Sequence, residues 1–232
     1  MSNPRALQAV LFDMDGTLVD SEKLWSVALD DLAANYGGEL SQAARAAMIG
    51  TNMADSMRLF HDDLGLDGDM SESQSLLEDR VKELILLGLP WRVGAQELLH
   101  EVRAAGVPTA LVTATHRHVV EVMLPTLGPE HFDVVVCGDE VARAKPHPEP
   151  YLRAARLLDV SPERCVAIED SPTGAAAAEA AGCAVLAVPS EVEVPPGERR
   201  TIRDSLSGVD LAYLRDLTAE ARRTAPPRTP TS

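Results

Sequence analysis

Residues 10–21 read "VLFDMDGTLVDS". The apolar run Ala9-Val10-Leu11-Phe12 has the composition of a buried strand, yet it ends in two acids one residue apart, Asp13 and Asp15. Two like charges at the end of a buried strand repel each other and lose hydration, so the pair needs a compensating positive charge. The rest of the chain has to supply it.

Downstream of that stretch the chain changes rhythm twice. Residues 20–88 are polar, helix-patterned and nearly free of β-branched runs, with Trp25, Ala28, Leu29 and Leu32 at helical spacing and Leu77, Val81, Leu84 and Ile85 on one helical face. Gly37-Gly38, Gly50-Thr51 and Gly65-Leu66-Asp67-Gly68 punctuate this region, which predicts about four helices. From Pro90 onward helices are expected over 96–105, 116–124, 150–158 and 172–181, alternating with strands over 108–113, 132–137, 165–168 and 184–188. Such alternation predicts an α/β fold, a Rossmann-like parallel sheet with helices on both faces, here carrying an inserted all-α segment. Ser161-Pro162 and Ser171-Pro172 read as helix starts, Ser capping the free amides and Pro occupying the first helical position. Asp20 and Ser21 read as caps of the first inserted helix. Residues 189–200 read as a polar loop, a last helix is expected over 209–222, and the tail from Ala225 is expected to be disordered.

Composition narrows the function. Of 232 residues, 45% are hydrophobic and 25% charged, enough to bury a sizeable core. The 36 acids against 21 basic residues give a net charge of -15, which repels nucleic acid and anionic membranes. Apolar runs such as Val134 to Cys137 fall far short of the roughly 18 residues that cross a bilayer. No secretory pattern precedes Asp13, so the mature chain is expected to start at Met1 and to work in the cytoplasm. Cys137, Cys165 and Cys183 are an odd number set in Val- and Ala-rich segments, which argues against a disulfide framework or a zinc site and for small buried side chains.

In an open parallel sheet the functional crevice lies beyond the carboxyl ends of the strands. Reading off those ends gives Asp13 and Asp15 after the first strand, Thr113 after the second, Lys145 in "ARAKPHPEPY" after the third, and Glu169-Asp170 at the fourth. Four carboxylates, a hydroxyl and an ammonium are what a hard divalent cation and a phosphate require, and bound Mg²⁺ would neutralise the paired acids. Each residue taken singly has an ordinary structural reading; their joint order does not. His116, Arg117 and His118 sit just past the second strand, but no further ligand at matching spacing supports a metal there, so they read as a solvated helix start.

"DMDGTLVDS", the Thr after "ALV", the Lys of "KPHPEPY" and "AIEDSPTGAAAA" together resemble the four ordered motifs of the haloacid dehalogenase superfamily, from Val10 to Pro189. The Glu-Asp form of the last motif is similar to the branch of beta-phosphoglucomutase and phosphoglycolate phosphatase. The resemblance implies a catalytic core over 1–18 and 91–222, a helical cap over 19–90 and a free tail over 223–232. It implies that Asp13 attacks phosphorus and that Asp15 protonates the leaving oxygen and then activates water. Met14, Gly16, Thr113, Ala114, His116 and Lys145 would surround the phosphate, with Thr113 and Lys145 assisting catalysis. Asp13, Asp15, Glu169 and Asp170 would hold Mg²⁺, Asp15 through its carbonyl.

The expected activity is hydrolysis of a small phosphorylated metabolite, a sugar phosphate or a phosphoglycolate-like ester, by a monomer or weak homodimer. Dehalogenases lack the second acid, which is present here. Mutases of the beta-phosphoglucomutase type tend to carry a His in the first cap helix and an Arg in the cap loop, where this chain has Trp25 and Met53, so a mutase is the alternative rather than the first choice. A phosphoacceptor signalling module carries its acid after a later strand and has no insert of this length. Arg45, Arg58, Arg80 and Lys82 are the insert's candidate contacts to a second substrate group.

Overall fold

Ala9–Phe12 forms strand β1, buried along its whole length. In the computed structural model, which describes residues 7–49 and 51–224, β1 lies inside a six-stranded sheet. The other strands are β2 (Thr109–Val112), β3 (Val134–Val136), β4 (Cys165–Glu169), β5 (Ala184–Ala187) and β6 (Arg200–Ile202), in the order β3-β2-β1-β4-β5-β6. Every pairing is parallel. Phe12 stands opposite Leu111 on one side and Ile168 on the other, so the ends of β1, β2 and β4 are level.

Period-two alternation sends successive β1 side chains to opposite faces. Val10 and Phe12 join a core with Leu98, Leu99 and Val102 of α5 (Ala95–Ala104), Val119 and Met123 of α6 (Arg117–Leu127), and Leu214 of α9 (Leu211–Thr224). Ala9 and Leu11 pack instead with Tyr151 and Ala154 of α7 (Glu149–Leu157) and Ala175 and Ala178 of α8 (Pro172–Ala181). Helices therefore cover both faces, as the alternation predicts. Among the described residues no helix is long and apolar enough to cross a membrane.

Between β1 and α5 come the four inserted helices, α1 (Glu22–Asn35), α2 (Gln42–Met48), α3 (Met53–Leu64) and α4 (Met70–Leu87). Leu77, Val81, Leu84 and Ile85 form the buried stripe of α4, against Ala28 and Leu32 of α1. The chain enters and leaves the insert side by side. The Asp20 amide donates to the Pro90 carbonyl at 2.9 Å and the Arg92 amide to the Leu18 carbonyl at 2.8 Å.

Several local expectations are corrected. Ser161-Pro162 opens only the three-residue turn Pro162–Arg164, and Ser161 makes no side-chain cap. Ser171 does cap, accepting from the Gly174 amide at 3.1 Å. Ser21 stands at the start of α1 without capping it, and Asp20 pairs with Lys23 at 3.2 Å. The segment read as a loop over 189–200 delivers β6 at its end. Helix α9 runs to Thr224, past the boundary expected at 222, while Gly50 and the tail from Ala225 lie outside the described residues.

Candidate active site

Because β1 ends at Phe12, the Asp13 amide makes one last sheet-like bond, to the Ile168 carbonyl at 3.0 Å, and its side chain emerges between β2 and β4. Lys145 comes back from the loop after β3 to meet it. Its Nζ donates to Asp13 Oδ1 at 2.6 Å, Glu169 Oε1 at 2.6 Å and the Val112 carbonyl at 2.9 Å. Tyr151, in the same motif, donates its hydroxyl to Glu169 Oε1 and places its ring 5.3 Å from the ammonium.

Carboxylate oxygens of Asp13, Glu169 and Asp170 lie within 4.8 Å of one another, and all three residues are buried. One buried ammonium thus faces three buried acids, leaving an excess of negative charge in a medium that solvates it poorly. The acids respond. Burial first, then Glu169, pushes the Asp13 carboxyl up to about 7 against the pull of Lys145. Burial, then Asp13 and Glu169, pushes Asp170 up to about 9. Burial works against the charge of Lys145, but Asp13 and Glu169 outweigh it and raise its pKa.

Two glycines make room for this cluster. A Cβ on Gly16, whose φ is +73°, would stand 2.0 Å from Asp170 Oδ2, and one on Gly174 would stand 1.9 Å from Glu169 Oε2. The missing carbons, the converging oxygens and the uncompensated charge together fit a hard divalent cation held by Asp13, Glu169 and Asp170. The Ser190 hydroxyl, beyond β5, lies 2.5 Å from Asp170 Oδ2 and 2.7 Å from Glu22 Oε1. A hydroxyl has one proton to give, so it bridges this buried edge of the cluster to the first residue of α1.

The Asp15 carboxylate is not part of that cluster. Oδ1 accepts from Ser21 Oγ at 2.5 Å and Trp25 Nε1 at 3.3 Å, and Oδ2 from Thr115 Oγ1 at 2.7 Å and Thr113 Oγ1 at 3.3 Å. Two of these donors come from the insert side and two from the loop after β2. Thr113 also accepts from the Thr115 amide at 3.0 Å, so the loop is tightly folded around its hydroxyl.

These groups open into a cavity of about 430 Å³. Asp13, Asp15, Thr113, Ala114, Lys145 and Asp170 form its floor, and Trp25, Leu29, Met48, Met53 and Leu77 of the insert line the opposite wall. Met14 is fully buried and Glu169 lies beneath the floor, so neither side chain lines the cavity. His116, expected near the phosphate, is placed elsewhere: its ring pairs with Glu78 of α4 and is not among the lining residues. Of the four basic insert residues, Arg45 alone lines the cavity, and it pairs with Asp30; Arg58, Arg80 and Lys82 pair with Asp55, Asp31 and Asp79. The sequence alone does not single out Ser21, Trp25, Thr115, Tyr151, Gly174 or Ser190 for these contacts. Extending the strand-end reading to β5 finds Ser190, and reading two residues beyond Thr113 finds Thr115; the inward turn of Tyr151 leaves no signal in the motif.

A family model described as haloacid dehalogenase-like hydrolase matches residues 10–188. The chain belongs to that family. This haloacid dehalogenase-like hydrolase is 32% identical over 234 residues to Protein CbbY of Rhodobacter capsulatus, covering 95% of this chain and 98% of the relative. It is 31% identical over 225 residues to hexitol phosphatase B of Escherichia coli, with 95% and 98% covered. The crystal structure of CbbY from Rhodobacter sphaeroides in complex with phosphate superposes with a TM-score of 0.80 at 31% identity, covering 90% of this chain and 99% of that one. The chain is an enzyme of this hydrolase family, and relatives of similar sequence in Escherichia coli and Arabidopsis thaliana are named as phosphatases.

Proposed function

We propose that this hydrolase cleaves a small phosphorylated metabolite of the sugar- or polyol-phosphate class, with Mg²⁺ as cofactor, through an aspartyl-phosphate on Asp13. The reading is carried by one observation: Asp13 and Asp15 open side by side onto the cavity but sit in opposite environments, Asp13 against an ammonium and two acids, Asp15 among four neutral donors. The first suits a nucleophile that phosphate must approach, the second a group that exchanges a proton with the leaving oxygen and then with water. Asp13, Glu169 and Asp170, with the Asp15 carbonyl, would hold Mg²⁺, which when bound would neutralise charge on the phosphoryl oxygens. Lys145 adds positive charge beside Asp13, and the Thr113 hydroxyl turns from Asp15 to a phosphate oxygen. Residues 19–90 act as the cap, their apolar wall excluding water, and Arg45 is the cap's cation toward the far end of the substrate. The enzyme acts as a monomer or weak homodimer in the cytoplasm, a setting in keeping with three free, buried cysteines.

Trp25 favours hydrolysis over mutation. Its indole N–H is spent on Asp15, where the mutase pattern has a titratable His. Asp13→Asn is expected to abolish hydrolysis of p-nitrophenyl phosphate, and Asp15→Asn to leave trace turnover with accumulated phosphoenzyme. Near-normal rates in either variant would sink the mechanism. A screen of sugar and polyol phosphates with Mg²⁺ should release inorganic phosphate; isomerised product in excess of phosphate would instead establish a mutase.

A further inference from the structure

The insert and the core meet a second time, away from the cavity floor, where α4 crosses the start of α6. There Glu78 is 3% exposed, and its ion-pair partners among the described residues are two histidines. Oε1 lies 3.1 Å from His116 Nδ1 and Oε2 lies 3.0 Å from His118 Nε2. Gln74, one turn earlier on α4, places Nε2 3.0 Å from Glu78 Oε1 and 3.1 Å from His116 Nδ1. These three atoms form a closed triangle. If the amide gives one N–H to each neighbour, no proton lies between Nδ1 and the carboxylate oxygen, and a cation there would take the Nδ1 lone pair from Gln74, which keeps its bond to Glu78.

A buried carboxylate with two imidazoles is the donor set of a borderline-soft transition ion rather than of Mg²⁺, which prefers oxygen alone. Ligand atoms from the three residues lie within 4.8 Å of one another. Ligands around tetrahedral zinc stand about 3.3 Å apart, given metal distances of about 2.0 Å, so modest side-chain rotation closes the set. His118 is partly exposed, which leaves an entry path and a position for water. The third ligand leaves no local signal around residues 116–118, because Glu78 is nearly forty residues away and belongs to the insert.

We propose that Glu78, His116 and His118 form a second cation site, of the Zn²⁺ class, that clamps the insert to the core. Leu77, adjacent to Glu78, lines the cavity, so an ion here fixes the apolar wall over Asp13 and slows the opening through which product leaves.

The test uses the full chain saturated with Mg²⁺, so that the oxygen site is filled, and titrated with Co²⁺. One equivalent is expected to produce the strong visible absorption of a low-coordinate, imidazole-bound ion, which Zn²⁺ displaces and excess Mg²⁺ does not. His118→Ala and Glu78→Gln should each weaken this binding at least tenfold. With Mg²⁺ saturating, Zn²⁺ should slow wild-type turnover severalfold and leave His118→Ala unaffected. No cobalt band, a band that survives both substitutions, or ready displacement by Mg²⁺ would overturn the proposal. A pH response at His118 with no cobalt band would also overturn it, assigning the positive charge to a proton.

Discussion

A methyl group on residue 174 would reach within 1.9 Å of Glu169 Oε2 and 2.2 Å of its Cδ. Helix propensity favours the substitution by about 0.5–1 kcal/mol, since glycine inside a helix costs that much relative to alanine. The packing opposes it, because Glu169 is fully buried and already holds Lys145 and Tyr151. Gly174→Ala is therefore expected to cut turnover by more than tenfold, read with p-nitrophenyl phosphate, and to gain no stability in urea. A fully active, more stable variant would show that Glu169 has slack. Thr115→Val tests the other acid: it removes the 2.7 Å donor to Asp15 while nearly preserving shape. A hydrogen bond contributes about 0.5–3 kcal/mol, so turnover should fall by at least a few-fold with folding intact. At this scale the sequence brings out which side chains converge, since Asp13, Asp15, Lys145 and Asp170 all line one cavity. It hides what holds them. Ser21 looks identical as a cap or as an Asp15 donor, and only the turn after β1 decides between them.

Elements were legible where pattern and burial agree. Strand β1 and helix α8 begin and end where the sequence puts them, because β1 is a short apolar run and α8 is bounded by Ser171-Pro172 and Gly182. Helix α6 runs on to Leu127 through Pro125, which reads as a breaker, and the Gly128 amide closes its end on the Leu124 carbonyl at 2.9 Å. Strand β6 is not legible in the sequence because three residues at a sheet edge carry almost no periodicity; its pairing with β5 supplies what the local sequence lacks. The two Ser-Pro pairs make the point testable, being alike in sequence and different in structure. Ser171→Ala removes a real cap and should cost about 1 kcal/mol in urea denaturation. Ser161→Ala removes none and should stay within about 0.5 kcal/mol. Equal losses would contradict the capping assignment.

For the whole molecule the governing fact is charge. A chain of net charge -15 places three of its acids in one buried cluster and gives them a single lysine. The sheet order brings them together, since β1 lies between β2 and β4 and their ends converge where the chain reverses direction across the sheet. The energetic consequence depends on pH. The carboxyls of Asp13 and Asp170 rise from 3.8 to about 7 and about 9 on folding, mainly through burial. The native chain therefore binds protons that the unfolded chain has released. Their contribution to stability is fully present below about pH 4 and is lost as pH climbs through 7 and 9. A divalent cation bound in the same cluster would take over from those protons and would meet less competition from them as pH rises. Mg²⁺ should accordingly raise Tm more at pH 8 than at pH 6. One kcal/mol corresponds to about 2–4 °C for a chain of this size, so the difference should reach a few degrees in thermal melts. Asp170→Asn should shrink both the Mg²⁺-induced shift and its pH dependence, because it removes a ligand and the more elevated of the two titrating groups together. An Mg²⁺ shift of equal size at both pH values would mean that the cation displaces no protons, and that the buried cluster is not where it binds.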